Sequence, residues 1–211
     1  MSSRTDYEEY YASEGYYWGT EPAELCHELI RLLPPAKGVK VLDIGCGEGK
    51  DAVFMAKQGY EVTAFDITDN GIAKTKRMAE ENGVEVNAFI ADINDFEIEG
   101  MFDIIYSTGT IQYLDEDKIP AFFKKVQRMT KPNGLNWFNV FVDKPFIPLP
   151  PDWDRYEQLW PSGKMFTYYP DWKFERIDET IFECHSSGVP HLHCMDVLVA
   201  RKEPQDIVLP Q

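Results

Sequence analysis

The sequence predicts an α/β protein built on a mostly parallel sheet, and three observations support this prediction. An apolar segment, residues 41–44, runs into a turn with three glycines and then into a helix-like segment at 51–56. Four further apolar segments follow with helix-like segments between them, an alternation typical of parallel sheets covered by helices. The last two strand-like segments, 172–183 and 193–201, flank a turn at 186–190 and predict an antiparallel hairpin.

The first turn carries the most informative pattern, because Gly45, Gly47 and Gly49 are separated by single residues. Glycine suits a turn where a ligand approaches bare backbone, since a Cβ would block the approach and the turn needs unusual backbone angles. A dinucleotide-binding turn has the spacing G-x-G-x-x-G, with a pyrophosphate at the helix N-terminus. Here the third glycine comes one residue early and Lys50 takes the last position. The spacing therefore favours a different ligand.

The later strands end near acidic residues. The second strand-like segment, 60–66, ends at Asp66, which is 17 residues past Gly49. At about this distance a carboxylate can meet ribose hydroxyls in nucleotide-binding α/β folds. The remaining strand-like segments are 87–93, 102–108 and, after a turn at 131–134, 135–142. The first of these ends near a second acid, Asp92.

The D-x-G-x-G-x-G pattern after a strand, with this ordered series of acids, resembles the motifs of class I S-adenosylmethionine (SAM)-dependent methyltransferases. The resemblance covers roughly residues 39–201. It implies a Rossmann-like three-layer sandwich, whose seven-stranded, mostly parallel sheet is closed by the antiparallel C-terminal hairpin. It also implies SAM as the cofactor and S-adenosylhomocysteine as the product. The implied cofactor-binding residues are Asp43, Gly45, Cys46, Gly47, Gly49, Asp66, Ile67, Asp92, Ile93 and Ser107.

The resemblance also implies roles for these residues. The glycines would face the methionine part of SAM, and Asp66 would bind the ribose hydroxyls. Asp92 and Ile93 would read the adenine edge, and Ser107 would lie under the methionine group. Two alternatives stay open: Asp43 could orient the glycine turn by hydrogen bonds, and Asp92 could cap a helix.

Three segments narrow the resemblance to the tellurite-resistance (TehB-type) methyltransferases: YYPDW at 168–172, ECH at 183–185 and LVARK at 198–202. In that family a histidine before the hairpin turn lies in the active site with arginines beside it, and His185 matches this histidine. The next residue is Ser186 rather than arginine, and the hairpin offers His191 and His193 instead. Arginine's planar fork is the natural partner of an oxyanion. The family resemblance favours a chalcogen oxyanion such as tellurite or selenite, and the missing arginine leaves a thiol as the alternative. Both therefore stay as candidate substrates.

His185 is the candidate catalytic base, because histidine has an unperturbed pKa of about 6.5. The alternative is a structural residue whose ring bonds a backbone carbonyl. His191 and His193 are two residues apart on a strand and so point to one face. There they could line the pocket with His185 or bind a metal as a pair. No third ligand stands at a suitable spacing in the sequence, so we predict no metal.

Two aromatic segments depart from the α/β pattern. Residues 7–18 contain five tyrosines and a tryptophan, and residues 143–171 contain six prolines among aromatic residues. Prolines exclude the second segment from the sheet core. We predict that both segments cap the crevice at the carboxyl ends of the strands; alternatively, their rings fill space under loops. The predicted substrate pocket is lined by Trp18, Gln112, Tyr113, Tyr168, His191 and His193.

Length and charge limit the domain organisation and the partners. The 211 residues suffice for one domain with a sizeable core. We assign residues 1–202 to that domain, with residues 1–20 as an aromatic N-terminal lid and residues 203–211 as a flexible tail. The net charge of −15 disfavours nucleic acid, whose phosphates require a basic face. We expect a small-molecule substrate and a monomer or homodimer.

The cysteines and the hydropathy pattern predict a cytoplasmic protein. No apolar run approaches the roughly 18 residues of a membrane helix, and the N-terminus lacks a signal pattern, so we expect neither membrane insertion nor export. The four cysteines form no metal-binding spacing and are expected as reduced thiols. Cys46 reads as a small buried residue, and Cys184 and Cys194 could face each other across the hairpin.

Two other functions stay open. An NAD(P)-dependent oxidoreductase shares the fold type and the acid after the second strand, but the glycine spacing and the closing hairpin argue against it. A non-catalytic SAM-binding module would carry the same motifs without turnover.

Overall fold

The computed structural model describes residues 3–149, 159–185 and 188–204. The strands of this part are β1 (Lys40–Ile44), β2 (Glu61–Asp66), β3 (Val86–Ile90), β4 (Phe102–Ser107), β5 (Thr130–Phe141), β6 (Lys173–Cys184) and β7 (His191–Arg201). Its helices are α1 (Ser3–Tyr10), α2 (Glu24–Leu32), α3 (Lys50–Gln58), α4 (Asp69–Glu81) and α5 (Ile119–Met129). None of these described helices has both the length and the apolar character needed to cross a bilayer.

The strands form one sheet in the order β3-β2-β1-β4-β5-β7-β6. Strands β1 to β5 run parallel, β7 runs antiparallel to β5, and β6 runs antiparallel to β7. The predicted fold, with an antiparallel hairpin closing a mostly parallel sheet, is confirmed. Because β1, β2 and β4 end at the same edge, the turns that follow them meet there.

Helices cover both faces of the sheet, which explains why its central strands are apolar at successive positions. In β1, Leu42 and Ile44 pack in the layer that contains α5, whereas Val41 packs in the layer that contains α2 and α3. Successive strand residues point to opposite faces, and these three are fully buried. Helix α5 presents its apolar stripe to the sheet through Ile119, Phe122, Phe123, Val126 and Met129.

Helix α2 begins at Glu24. The N–H of Ala23 donates to Asp51 Oδ1 at 2.7 Å instead of joining the helix. This bond ties the entry of α2 to the first turn of α3, directly after the glycine turn.

Two strand boundaries differ from the prediction. β3 ends at Ile90, before Asp92, because Asp92 Oδ1 accepts the N–H of Asn94 in a tight turn. The turn predicted at 131–134 lies inside β5 as an irregularity, where Asn133 takes a φ of 65° and the register with β4 shifts. Both differences come from local turns that hydrophobic periodicity does not report.

The later described part of the 143–171 segment packs beside α5. Tyr168 stacks on Phe123 of α5 with the ring centroids 4.4 Å apart, and Trp160 and Tyr169 are buried in the same layer. Tyr168 thus covers part of the apolar stripe of α5, and its place in the substrate pocket stays a prediction. Residues 150–158 with Trp153, Ser186, and residues 205–211 of the predicted tail lie outside the described residues.

Candidate functional site

The glycine turn lies at the carboxyl end of β1, and geometry requires two of its glycines. Gly45 and Gly49 have φ angles of 74° and 88°, in the left-handed region that disfavours other residues. A Cβ on Gly45 would lie 2.6 Å from Cβ of Thr110, and a Cβ on Gly49 would lie 2.8 Å from Cα of Thr75. The chain thus presents bare backbone between α4 and the loop after β4.

The N-terminal aromatic segment lies over this turn. The hydroxyl of the buried Tyr11 is 3.0 Å from the position that a Cβ on Gly47 would take. The indole N–H of Trp18 donates to this hydroxyl at 2.9 Å. Trp18, which we expected in the substrate pocket, therefore lies beside the glycine turn, with 45% of its surface exposed.

A buried ion pair ties the turn, α4 and the N-terminal segment together. Lys74 Nζ is 2.7 Å from Glu48 Oε1, and the side chains are 8% and 1% exposed. The second oxygen of Glu48 accepts the backbone N–H of Trp18 at 3.1 Å, and Lys74 also donates to the carbonyl of Gly15. Each buried charge is tolerated because the other is present and both make further hydrogen bonds.

Helix α1 is attached by two more contacts. The carboxylate of Glu8 accepts the N–H groups of Asp69 and Asn70 at 2.8 and 3.0 Å. It therefore caps the N-terminus of α4, where negative charge is favourable. The hydroxyl of Tyr7 lies 2.8 Å from the hydroxyl of Tyr113, a residue predicted for the substrate pocket. Tyr113 thus contacts the N-terminal segment.

Asp66, the predicted ribose ligand, is buried at the carboxyl end of β2 beside the glycine turn. Its Oδ2 accepts the N–H of Gly47 at 2.9 Å, and its Oδ1 accepts the N–H and the hydroxyl of Thr68 at 3.0 and 2.6 Å. Burial raises the pKa of Asp66, while the hydrogen bonds from Thr68 and Gly47 oppose that rise. A carboxylate has about four lone-pair sites, so Asp66 can accept ligand hydroxyls as well.

Asp43 lies next to the same turn and is 2% exposed. Among the described residues its buried Oδ2 atom has no hydrogen-bond partner. Burial raises the pKa of Asp43 well above its ordinary value, and the nearby carboxylate of Asp51 raises it further. A buried carboxylate oxygen without a partner is costly. Such an atom beside bare backbone fits a cationic group of a ligand.

Two predicted polar site residues, Ser107 and Gln112, lie at the end of β4 and in the segment after it. The hydroxyl of the fully buried Ser107 donates to the carbonyl of Ile44 at 2.9 Å, so it ties β4 to β1. The side-chain amide of Gln112 donates to the carbonyl of Gly109 at 2.6 Å. Its Oε1 atom is buried and unpartnered in the part of the chain that the structure describes. Gln112 therefore has an acceptor to offer to a ligand donor.

The remaining predicted cofactor residues lie at the same edge of the sheet. Asp92 bonds Asn94 in a turn and precedes no helix in the described ranges, so the helix-cap alternative is not found. The side chain of Ile93 is buried in the core, which leaves only its backbone for an adenine edge. Ile67 and Cys46 are half-buried after β2 and β1.

The C-terminal hairpin brings Cys184 together with the predicted pair of histidines, His191 and His193. Cys184 on β6 pairs with His191 on β7, and His193 follows on the same face. The Nε2 atoms of the histidines are 3.0 Å apart, and one candidate ligand atom from each of the three residues lies within 4.8 Å of the others. The strand register thus places Cys184 beside the histidine pair as a third candidate ligand, which spacing in the sequence does not report. Cys194 pairs with Ile181 and not with Cys184.

This cluster lies beyond the carboxyl end of β5. Phe141, the last residue of β5, pairs with Met195, so the start of β7 extends past β5 at the edge that holds the glycine turn. His193 is 5% exposed and packs against the rings of Phe141 and Phe182, at centroid distances of 5.0 and 5.5 Å. The fold therefore holds this imidazole in a fixed, apolar setting.

His185 is separated from the cluster. It follows Cys184 just beyond the end of β6. Its side chain is 65% exposed, and its Nε2 lies 3.6 Å from the carboxylate of Glu183. The group of ligand atoms within 4.8 Å of one another comprises Cys184, His191 and His193, and a pocket that His185 shares with the two other histidines stays a prediction.

Sequence reasoning missed Glu48, Lys74 and Glu8. Glu48 could have been identified from the sequence, since a charged residue between two glycines of a ligand-binding turn must either meet the ligand or be paired. Lys74 and Glu8 could not have been identified in this way, because their partners are 26 and 61 residues away in the chain.

Known proteins share this architecture. The family model described as "Tellurite resistance protein TehB" matches residues 6–189. A protein named "Probable S-adenosyl-L-methionine-dependent methyltransferase TehB", from Haemophilus influenzae (strain 10810), is 28% identical over 148 residues, which cover 70% of this chain and 51% of that protein. The chain thus spans about half the length of this curated relative.

Solved structures agree with the sheet order. The crystal structure of TehB from Haemophilus influenzae superposes with a TM-score of 0.79 at 25% identity, covering 93% of this chain and 67% of that chain. Magnesium protoporphyrin IX methyltransferase from Synechocystis PCC 6803, solved with bound SAH, has a TM-score of 0.67 at 15% identity and covers 95% of this chain and 100% of its own. The second likeness shows the fold alone.

Proposed function

The chain belongs to the family of the tellurite resistance protein TehB, and on this premise we propose that it is a SAM-dependent methyltransferase acting on a small molecule. One observation carries the proposal: two buried carboxylates, Asp43 and Asp66, flank the bare backbone of the glycine turn. A ligand that carries both a cationic amino group and ribose hydroxyls could donate hydrogen bonds to these two carboxylates.

The residues around the turn fit the parts of SAM. The unpartnered Oδ2 of Asp43 would accept from the amino group of the methionine part. The remaining lone pairs of Asp66 would accept from the ribose hydroxyls. Asp92 and the backbone of Ile93 would meet the adenine edge. The position of each residue at the carboxyl edge of the sheet supports its assignment.

The chain's own contribution to methyl transfer is alignment and shielding. When bound, SAM supplies an activated methyl group on a sulfonium centre. Holding two reactants in line can supply most of the rate of such a displacement. Tyr11 and Trp18 place aromatic rings over the glycine turn, where they would attract a cationic centre through cation–π interactions and exclude water.

For the methyl acceptor we propose a chalcogen oxyanion, such as tellurite or selenite, or a thiol. Family membership supports the oxyanion. The thiol is the alternative because Ser186 follows His185 where the family has arginine, the natural partner of an oxyanion. Gln112, with its buried acceptor oxygen, would orient a donor group of the acceptor molecule.

A base is needed only when the acceptor must lose a proton. We propose His185 for this role, on its match to the family's histidine. The carboxylate of Glu183 lies 3.6 Å from its Nε2 atom. His185→Gln should then lower kcat for a thiol while leaving KM for SAM unchanged. Equal kcat in the variant and the wild type would remove His185 from the mechanism.

The direct test is formation of S-adenosylhomocysteine from SAM with tellurite, selenite or a small thiol as acceptor. Turnover with one acceptor, lost in Asp66→Ala and kept in Asp95→Ala, is the expected result. Asp95 is exposed in the loop after β3 and serves as the matched control. Binding of SAM without turnover on any acceptor would favour the non-catalytic module, and binding of NADH in its place would favour the oxidoreductase.

A further inference from the structure

The cluster of Cys184, His191 and His193 on the C-terminal hairpin has the geometry of a metal-binding site. One candidate ligand atom from each residue lies within 4.8 Å of the other two, and the two Nε2 atoms are 3.0 Å apart. In a tetrahedral zinc site the ligand atoms are roughly 3.3–3.6 Å apart, given Zn–N of about 2.0–2.1 Å and Zn–S of about 2.3 Å. Small side-chain rotations therefore suffice to direct all three atoms at one ion.

The orientation of His191 supports this interpretation. Its Nδ1 lies 2.8 Å from the carbonyl oxygen of Val189. A carbonyl can only accept, so Nδ1 carries the proton when the ring is neutral, and Nε2 then offers a lone pair toward His193. Metal-ligating histidines almost always donate their other N–H to a carbonyl or carboxylate in this way.

The surroundings of His193 hold its ring in place. The rings of Phe141 and Phe182 pack against it, at centroid distances of 5.0 and 5.5 Å. Phe182 is opposite His193 in the hairpin register, two residues before Cys184. Ligands fixed by packing lose little conformational entropy when an ion binds.

We propose that these three residues bind a borderline-soft divalent cation of the Zn²⁺ type, with one coordination position left open. Thiolate and imidazole are the donors that such ions select, whereas Mg²⁺ and Ca²⁺ prefer oxygen. Zinc sites with three protein ligands keep a fourth position for water or a substrate atom. The open position would accept an exogenous thiolate. Binding of the ion at this site does not require that the chain catalyse methyl transfer.

The test is titration of the untagged full chain with Co²⁺, followed by absorption spectroscopy. We expect a sulfur-to-cobalt charge-transfer band and tetrahedral d–d bands that saturate at an equimolar ratio, and we expect Zn²⁺ to abolish both. Cys184→Ser should lose the charge-transfer band, and His193→Gln should bind Co²⁺ at least tenfold more weakly. Circular dichroism would verify that each variant is folded, and Cys184→Ala is a second variant at the thiol position.

Matched controls lie on the same chain. Cys194→Ser alters a cysteine of the same hairpin that faces Ile181, and His27→Gln alters a histidine of α2 that packs on Phe54. Both should bind Co²⁺ like the wild type. Absence of the bands in the wild type, or their loss in Cys194→Ser with retention in Cys184→Ser, would overturn the site.

The open position has its own readout. Adding 2-mercaptoethanol to the cobalt-loaded chain should increase the charge-transfer absorbance, because a second sulfur enters the coordination sphere. An unchanged spectrum would contradict an open position. SAM titration of Cys184→Ser, with affinity equal to that of the wild type, would separate this result from any failure of the cofactor site.

Discussion

The hydroxyl of Tyr7 lies 2.8 Å from the hydroxyl of Tyr113, although 106 residues separate them in the chain. Together with Glu8 at the N-terminus of α4 and Trp18 on Glu48, this contact fastens the N-terminal segment over the glycine turn. The segment is therefore placed to control how fast a ligand leaves the turn.

Tyr7→Phe should speed the dissociation of SAM. The substitution removes one hydrogen bond worth about 1 kcal/mol, so the dissociation rate should rise about fivefold. Stopped-flow fluorescence, with Trp18 of the N-terminal segment as the reporter, would measure the dissociation rate. Tyr10→Phe, on an exposed ring that stacks on Tyr17, is the control and should leave the rate unchanged. Equal rates in all three proteins would show that the segment does not gate the site.

Lys74→Met should destabilise the fold strongly. It leaves the carboxylate of Glu48, whose side chain is 1% exposed, without its cation. Breaking a buried pair in this way typically costs about 3–5 kcal/mol. Lys76→Met, an exposed position on the same helix, should change the free energy of unfolding by less than about 0.5 kcal/mol. Urea unfolding compares them, and a loss no larger than that of the control would contradict the role of the pair.

Asp43→Asn should raise stability at neutral pH while weakening SAM binding. Burial and Asp51 raise the pKa of Asp43 in the folded chain, so folding favours its protonated form. The stability that this group contributes is present below its unfolded pKa and is lost as pH rises through the folded pKa. The variant avoids that loss, and its advantage should grow from acid pH to neutral pH.

We expect Asp43→Asn to raise the free energy of unfolding at pH 7 by about 0.5–2 kcal/mol, the usual gain when a stabilising substitution is made. Urea unfolding at acid and neutral pH gives the gain, and calorimetry with SAM gives the affinity. Asp95→Asn, at an exposed position, is the control. A variant that is less stable than the wild type at pH 7 would contradict the assignment of an unpartnered buried charge.

Gly49→Ala should cost far more than Gly59→Ala. Both glycines have positive φ angles, 88° and 102°, so both variants share the backbone strain. Only at Gly49 would the new Cβ lie 2.8 Å from Cα of Thr75; at Gly59 nothing lies within 4 Å. Overpacking adds about 1–3 kcal/mol to the loss. Thermal unfolding measures the difference, and equal losses would mean that the turn is looser than its contacts indicate.

The parts of the site that depend on local pattern were predictable. The glycine spacing and the acid at the end of the second strand predicted the crevice, and Asp66 does contact Gly47. Contacts between distant segments were not predictable. Tyr168 covers Phe123 because α5 has an apolar stripe to bury, and nothing in the sequence of an aromatic loop names the surface it will cover. Cys184 meets His191 through hairpin register, which sequence spacing does not report.

The most direct measurement is calorimetric titration of the wild type, Asp66→Ala and the control Asp95→Ala with SAM and with S-adenosylhomocysteine. We predict micromolar binding of both ligands to the wild type and the control, and at least tenfold weaker binding to Asp66→Ala, a loss of about 1.4 kcal/mol or more. Equal affinity for all three folded proteins, or no binding of either ligand to the wild type, would contradict the glycine turn as the cofactor site.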